Sequence, residues 1–173
     1  MITIFTGNGK GKTTAALGVA LRAVGAGKKV LMVQFIKGPF KSGEDESHKR
    51  LEPDFKIVKK GRGFVGIGND FLPKIVHRNA ALEALEYAKQ EAMSKQWQII
   101  ILDEIWNTLH LDLLTAEEVD LVIEEIEPLL ENLVLTGRDC PKTYISKAGL
   151  VTEMKEVKHP FVQGKKAVRG LEY

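Results

Sequence analysis

The stretch Thr6-Gly7-Asn8-Gly9-Lys10-Gly11-Lys12-Thr13-Thr14 has the residue types and spacing of a phosphate-binding loop. Glycine-rich turns let successive backbone N–H groups converge on one point, and a helix starting at the end of the turn adds its dipole. An anion is favoured there. Gly7, Asn8, Gly9, Lys10, Gly11 and Thr14 form the cradle, Lys12 is placed to reach the outer phosphates, and the Thr13 hydroxyl is placed to bind a magnesium ion. Such loops usually open with glycine, and Thr6 stands there, one residue short of the full pattern. An ordinary tight turn would leave the alternating glycines and the Gly-Lys-Thr-Thr run unexplained. The sequence predicts a site for a nucleoside triphosphate.

A second chemical element is Ile99-Ile100-Ile101-Leu102-Asp103-Glu104, an apolar run ending in two carboxylates. A divalent cation, Mg2+ or Mn2+, takes hard oxygen ligands, and Thr13, Asp103 and Glu104 supply them alongside phosphate oxygens. Asp103 could instead cap a following helix. Glu104 could bind the metal, orient the nucleotide or act as a base. Arg138 is a phosphate or nucleotide-state contact, or a surface ion pair, and Lys37 carries the same ambiguity. A dinucleotide fold is disfavoured, because Lys12 stands where its third glycine would be and the run Val30–Ile36 carries Gln34 rather than an acidic residue near its end. His48, His77, His110 and His159 show no zinc-ligand spacing with one another or with Cys140. These motifs leave kinase, hydrolase, switch and motor all open.

The elements that must position these groups are legible as alternating apolar runs and helical patterns. Strands are predicted at Ile2–Phe5, Val30–Ile36, Phe55–Lys60, Gln98–Asp103, Asn132–Leu135 and Val151–Val157. Several are continuously apolar, as in parallel sheets buried on both faces. One helix follows the phosphate loop. A second starts near Pro73 with Ala81, Leu85, Ala88 and Ala92 on one face, and a third starts at Thr115, where Thr115 and Glu118 form a capping box. Glu44-Asp45-Glu46 reads as a solvated loop or short helix, and Trp106 as a core residue. The fold class is α/β, a three-layer arrangement with a mostly parallel sheet of about six strands. The Asp103-Glu104 pair resembles RecA-like phosphate-loop cores, in which a further strand separates the two motif strands. Ligands bind beyond the carboxyl ends of such strands. There the sequence places the phosphate loop, Lys37-Gly38, the glycine-rich run 61–70, Asp103-Glu104 and Thr136-Gly137-Arg138-Asp139.

At 173 residues, with no repeat or linker, residues 1–173 are expected to form one domain. A net charge of +2 gives no footprint for nucleic acid, which disfavours a nucleic-acid motor. One cysteine excludes an internal disulfide, and no run reaches membrane-spanning length. With Met1 leading into a strand, a cytoplasmic protein is expected.

Further segments narrow the choice. Val33-Gln34-Phe35-Ile36-Lys37-Gly38, Leu102-Asp103-Glu104-Ile105, Leu135-Thr136-Gly137-Arg138 and a tail from Val157-Lys158-His159-Pro160-Phe161 to Gly170-Leu171-Glu172-Tyr173 follow the phosphate loop in order. Across nearly the whole chain this closely resembles the ATP:corrinoid adenosyltransferases of the CobA/BtuR type. The resemblance implies transfer of the 5′-deoxyadenosyl group of ATP to the cobalt(I) of a reduced corrinoid, with triphosphate released. It implies that the nucleotide lies reversed relative to hydrolases, leaving C5′ open to the corrin. It also implies a homodimer, with a flavoprotein as a candidate electron donor. On this likeness Lys12 and Glu104 are catalytic, and Phe64 matches the aromatic residue that displaces the lower cobalt ligand; alone, Phe64 could equally be a core side chain. Gly66 stands where better-known members carry tryptophan, Trp106 precedes Asn107 where asparagine often follows the Asp-Glu-Ile triplet, and the N-terminal segment of many relatives is not seen before the first strand. The rival readings are a phosphate-loop hydrolase or kinase on the same core, and a non-catalytic ATP-dependent corrinoid carrier.

Overall fold

The computed structural model describes all residues except 39, 40, 68, 69, 160–163, 165–167, 169 and 171–173. Six strands, β1 (Ile2–Thr6), β2 (Val30–Gln34), β3 (Phe55–Lys59), β4 (Ile99–Asp103), β5 (Asn132–Thr136) and β6 (Leu150–Glu153), form one sheet in the order β3-β2-β4-β5-β1-β6. Every pairing is parallel. The strand β5 lies between β1, which carries the phosphate loop, and β4, which carries the carboxylates. That is the insertion expected of a RecA-like core.

Side chains alternate between the two sheet faces, and each strand divides its apolar residues accordingly. Ile4, Leu31, Val33, Ile100, Leu102, Leu133 and Leu135 join one core with the buried residues of α3 (Lys74–Met93) and α5 (Ala116–Ile126). Phe5, Val30, Met32, Ile99, Ile101 and Val134 form the other with Ala16, Ala20 and Ala23 of α1 (Lys12–Gly25). Helices therefore cover both faces, and the alanines let α1 lie close to the sheet.

The helix predicted near Pro73 begins at Lys74, and its stripe of Ala81, Leu85, Ala88 and Ala92 is buried. The capping box at Thr115 is formed in full. Short helices α2 (Glu44–Ser47), α4 (Ile105–His110) and α6 (Lys142–Lys147) complete the set, and α6 had no sequence signal. Trp106 is wholly buried, packed on the Tyr144 ring at 4.6 Å between centroids.

Two strands stop earlier than their apolar runs. β2 ends at Gln34 rather than Ile36, because Phe35 N–H turns to the Asp103 carbonyl and the Gln34 carbonyl takes Lys60 and Gly61 N–H groups. β6 ends at Glu153 rather than Val157. Its continuation crosses the phosphate loop instead: Gly9 N–H donates to the Met154 carbonyl at 2.8 Å and Glu156 N–H to Asn8 Oδ1 at 3.3 Å.

Candidate active site at the carboxyl edge of the sheet

The strand register determines which polar side chains meet. Gln34 pairs with Asp103 across β2 and β4, while Leu102 pairs with Leu135 and Phe5 with Thr136. Gln34, Asp103 and Thr136 therefore end three strands in one row. Strand alternation aims all three at the face that α1 covers, where Thr13 stands in the first turn of the helix.

Their hydrogen bonds converge on one carboxylate. Asp103 Oδ1 accepts from Thr13 Oγ1 at 3.0 Å and from Thr136 Oγ1 at 2.7 Å, and Oδ2 accepts from Gln34 Nε2 at 3.0 Å. Asp103 is wholly buried. It does not cap α4: that position belongs to Glu104, which makes no side-chain cap bond. Sequence reasoning missed Gln34 and Thr136 as members of this cluster. Both stand in segments that the sequence placed at the ligand edge or in the family likeness, but nothing local paired them with Asp103.

Glu104 has φ 67°, a left-handed conformation that non-glycine residues seldom adopt. Its N–H is held by Thr136 Oγ1 at 2.9 Å, and α4 starts at the next residue. Burial, reinforced by the Asp103 charge and only partly offset by Lys37, Lys12 and Arg138, pushes its carboxyl up to about 7 from the usual 4.5. The field of Glu104 thus reaches Lys12 in the loop, Lys37 beyond β2 and Arg138 beyond β5.

The loop carries its own internal order. Gly7 adopts φ 99° and Gly11 φ 119°, both in the region reserved for glycine. A Cβ on Gly9 would lie 2.8 Å from the backbone of Met154 and Lys155. Lys12 folds back, its Nζ donating to the Gly7 and Gly9 carbonyls at 2.7 and 2.8 Å. Burial lowers its pKa, as does the nearby Arg138. The first turn of α1 has no acidic residue and no side-chain cap, so its N–H groups are left for an anion. Thr14 stands in that turn; Asn8 is committed to Glu156 N–H, and Lys10 lies on the exposed rim.

Lys37 pairs with Glu44 at 2.6 Å. Burial opposes its charge, but Asp103, Glu44 and Glu104 outweigh it and raise its pKa. Glu44 is thus more than part of a solvated run. Arg138 is fixed at the backbone, where its N–H donates to Asn107 Oδ1 at 2.8 Å.

Phe64 is 67% exposed, so it is not a core residue. Its neighbour Gly63 donates N–H to the Ile36 carbonyl at 3.0 Å and packs backbone to backbone on Gly38, which seats the loop beside Lys37. Ile67, Phe71 and Leu72 on the same loop are also exposed. Asp70 ties the loop together, accepting from Gly66 N–H at 2.7 Å and Leu72 N–H at 3.1 Å and meeting His77 of α3 at 3.2 Å. Gly68 and Asn69 of the glycine-rich run, and Pro160, Phe161 and Leu171-Glu172-Tyr173 of the tail, lie outside the described residues.

Thr13 Oγ1 and the Asp103 carboxylate are in contact and are hard oxygens of the kind a divalent ion takes. Among the described residues no three His, Cys, Asp or Glu side chains form a metal-holding cluster by themselves.

Comparison with known proteins agrees in full length. Residues 1–173 match the family described as ATP:corrinoid adenosyltransferase BtuR/CobO/CobP. The corrinoid adenosyltransferase of Escherichia coli K12 is 38% identical over 176 residues, covering 100% of this chain and 85% of the relative. Corrinoid adenosyltransferase CobA of Salmonella typhimurium is 37% identical with the same coverage, and the Pseudomonas aeruginosa enzyme is 35% identical over 100% of this chain and 83% of its own length. The phosphate loop, the paired carboxylates and a match that spans every element together show that the chain belongs to the ATP:corrinoid adenosyltransferase family.

Proposed function

We propose that this protein transfers the 5′-deoxyadenosyl group of ATP to the cobalt(I) centre of a reduced corrinoid and releases triphosphate. The observation that carries the proposal is the full-length family match, residues 1–173, which also supports one domain over that span. The corrinoid, as substrate, brings its own nucleophile. A cobalt–carbon bond forms at C5′ as the carbon–oxygen bond to the triphosphate breaks, with the electron pair leaving on the phosphate oxygen.

The protein's task is placement and charge. Backbone N–H groups of Gly7, Asn8, Gly9, Lys10 and Gly11, with the first turn of α1 at Thr13 and Thr14, cradle the phosphates. Lys12 turns from its loop carbonyls to the departing triphosphate, and Arg138 adds positive charge at the rim. Thr13, Asp103 and Glu104 hold a magnesium or manganese ion, which supplies further positive charge to the phosphate oxygens. No general base is required, so Glu104 serves as a ligand and not as a proton acceptor. Phe64, exposed on a loop seated beside Lys37, is suited to press on the corrin from the open side. No described helix is long and apolar enough to cross a membrane. We further propose a cytoplasmic homodimer that accepts electrons from a flavoprotein, with no role in nucleic-acid binding.

An anaerobic assay with ATP, magnesium and chemically reduced corrinoid tests this directly. Appearance of the alkylcorrinoid spectrum together with intact triphosphate is expected. Orthophosphate or ADP as the product would indicate a hydrolase or kinase, and binding of both substrates without a cobalt–carbon bond would indicate a carrier.

A further inference from the structure

Gln34 ends β2 with a side chain that is 0% exposed. One end of its amide is used, Nε2 donating to Asp103 Oδ2 at 3.0 Å, while Oε1 is buried and has no partner among the described residues. Folded proteins seldom leave a strong buried acceptor empty, and the exceptions call for an explanation. Rotating the amide does not relieve it, because Oε1 would then oppose the Asp103 carboxylate oxygen. The donor end must face Asp103, and the acceptor end must face elsewhere.

Thr13 Oγ1 and Thr136 Oγ1 both donate to Asp103 Oδ1, and no donor among the described residues reaches Gln34 Oε1. A leucine or methionine at this position would fill the space at the end of an apolar strand without burying an unpaired oxygen. The polar group is therefore explained by what it does for Asp103 and by what a bound ligand would donate. The hydroxyls that accompany a divalent ion are its water ligands, which are strong donors.

We infer that Gln34 is a positioning residue of the metal–phosphate centre: its amide N–H fixes the Asp103 carboxylate, and its carbonyl oxygen accepts from a water bound to the divalent ion. The inference rests on the metal–nucleotide part of the function proposed above, but not on adenosyl transfer.

The test is calorimetric titration of ATP into the full-length protein, once with EDTA and once with excess magnesium, for wild type, Gln34→Leu and Gln34→Met. Both variants should fold, with melting temperatures lowered by loss of the bond to the buried Asp103 carboxylate. Both should bind metal-free ATP within about twofold of wild type, yet lose about tenfold or more of the affinity gained with magnesium, as is usual when a metal's outer contacts are removed. A gain equal to wild type in both variants overturns the inference, as does a fall in metal-free affinity of the same size. Failure of both variants to fold would make Gln34 a structural residue and also overturn it. If wild-type ATP affinity is itself indifferent to magnesium, the metal–nucleotide reading fails and takes the inference with it.

Discussion

Glu104 is largely buried within reach of the Asp103, Lys37, Lys12 and Arg138 charges, and the consequences can be measured. Its carboxyl titrates near 7 in the folded protein, whereas the unfolded chain releases the same proton near 4.5. Between those values the folded state holds the extra proton, so the ligand-free protein loses stability as pH rises from about 4.5 to about 7. Glu104→Gln should remove that slope, gaining up to about 3 kcal/mol over wild type by pH 7 and nothing further above it. Denaturant midpoints across this pH range check the sign. Lys12→Ala should leave the fold intact but cut adenosyl transfer by about 10²-fold or more, the usual loss when a charge-stabilising donor is removed. Phe64→Ala should barely move the melting temperature, given its exposure. It should slow turnover on cobalt(II) starting material more than on pre-reduced cobalt(I); equal slowing would remove Phe64 from ligand displacement. Lys12 and Thr13 were legible in the sequence because they share one local strand-loop-helix unit, and Asp103 because it ends an apolar strand in a carboxylate pair, although its bond to Thr13 spans 90 residues. Gln34 and Thr136 were not, since their bonds to Asp103 span 69 and 33 residues and depend on which strands become neighbours.

Among the elements, the segment that follows β6 does what no periodic pattern announced. The apolar run suggested a strand through Val157, but Met154 instead gives its carbonyl to Gly9 N–H and its backbone lies against Gly7. The physical reason is the close approach itself: only residues without a Cβ let a second chain cross the loop at that distance. Gly9→Ala should therefore push Met154 and Lys155 away, destabilising the protein by about 1–3 kcal/mol and weakening ATP binding with it. Paired denaturation and nucleotide titrations check both parts, and a variant with normal affinity would show that the crossing segment is dispensable for the cradle. The helices were read more fully. Thr115 and Glu118 encode their own cap within four residues, and the alanine stripe of α3 encodes its own face. The short α6 carries neither signal, which is why it emerged only with the tertiary structure.

At the scale of the whole molecule, strand order turns scattered residues into a site. Inserting β5 between β1 and β4 leaves room for Thr136 to join Thr13 on one oxygen of Asp103. The paired carboxylates at the end of β4 foretold that insertion, whereas the edge position of β6 had no counterpart in local pattern. Because the hydrogen bonds around Asp103 link β2, β4 and β5 with the helix that follows the phosphate loop, nucleotide binding should stabilise the folded chain as a unit. With ATP and magnesium at about 100 times the dissociation constant, linkage adds about 2.7 kcal/mol, or roughly 5–10 °C of melting temperature for a chain of this size. Differential scanning fluorimetry with and without magnesium checks this. The crossing at Met154 carries one last implication, for biosynthesis. The glycines of the cradle leave the ribosome among the first dozen residues, but the backbone that pins them is made some 145 positions later. A nascent or truncated chain lacking that late segment is expected to have an unpinned phosphate loop and to bind ATP more weakly than the whole protein.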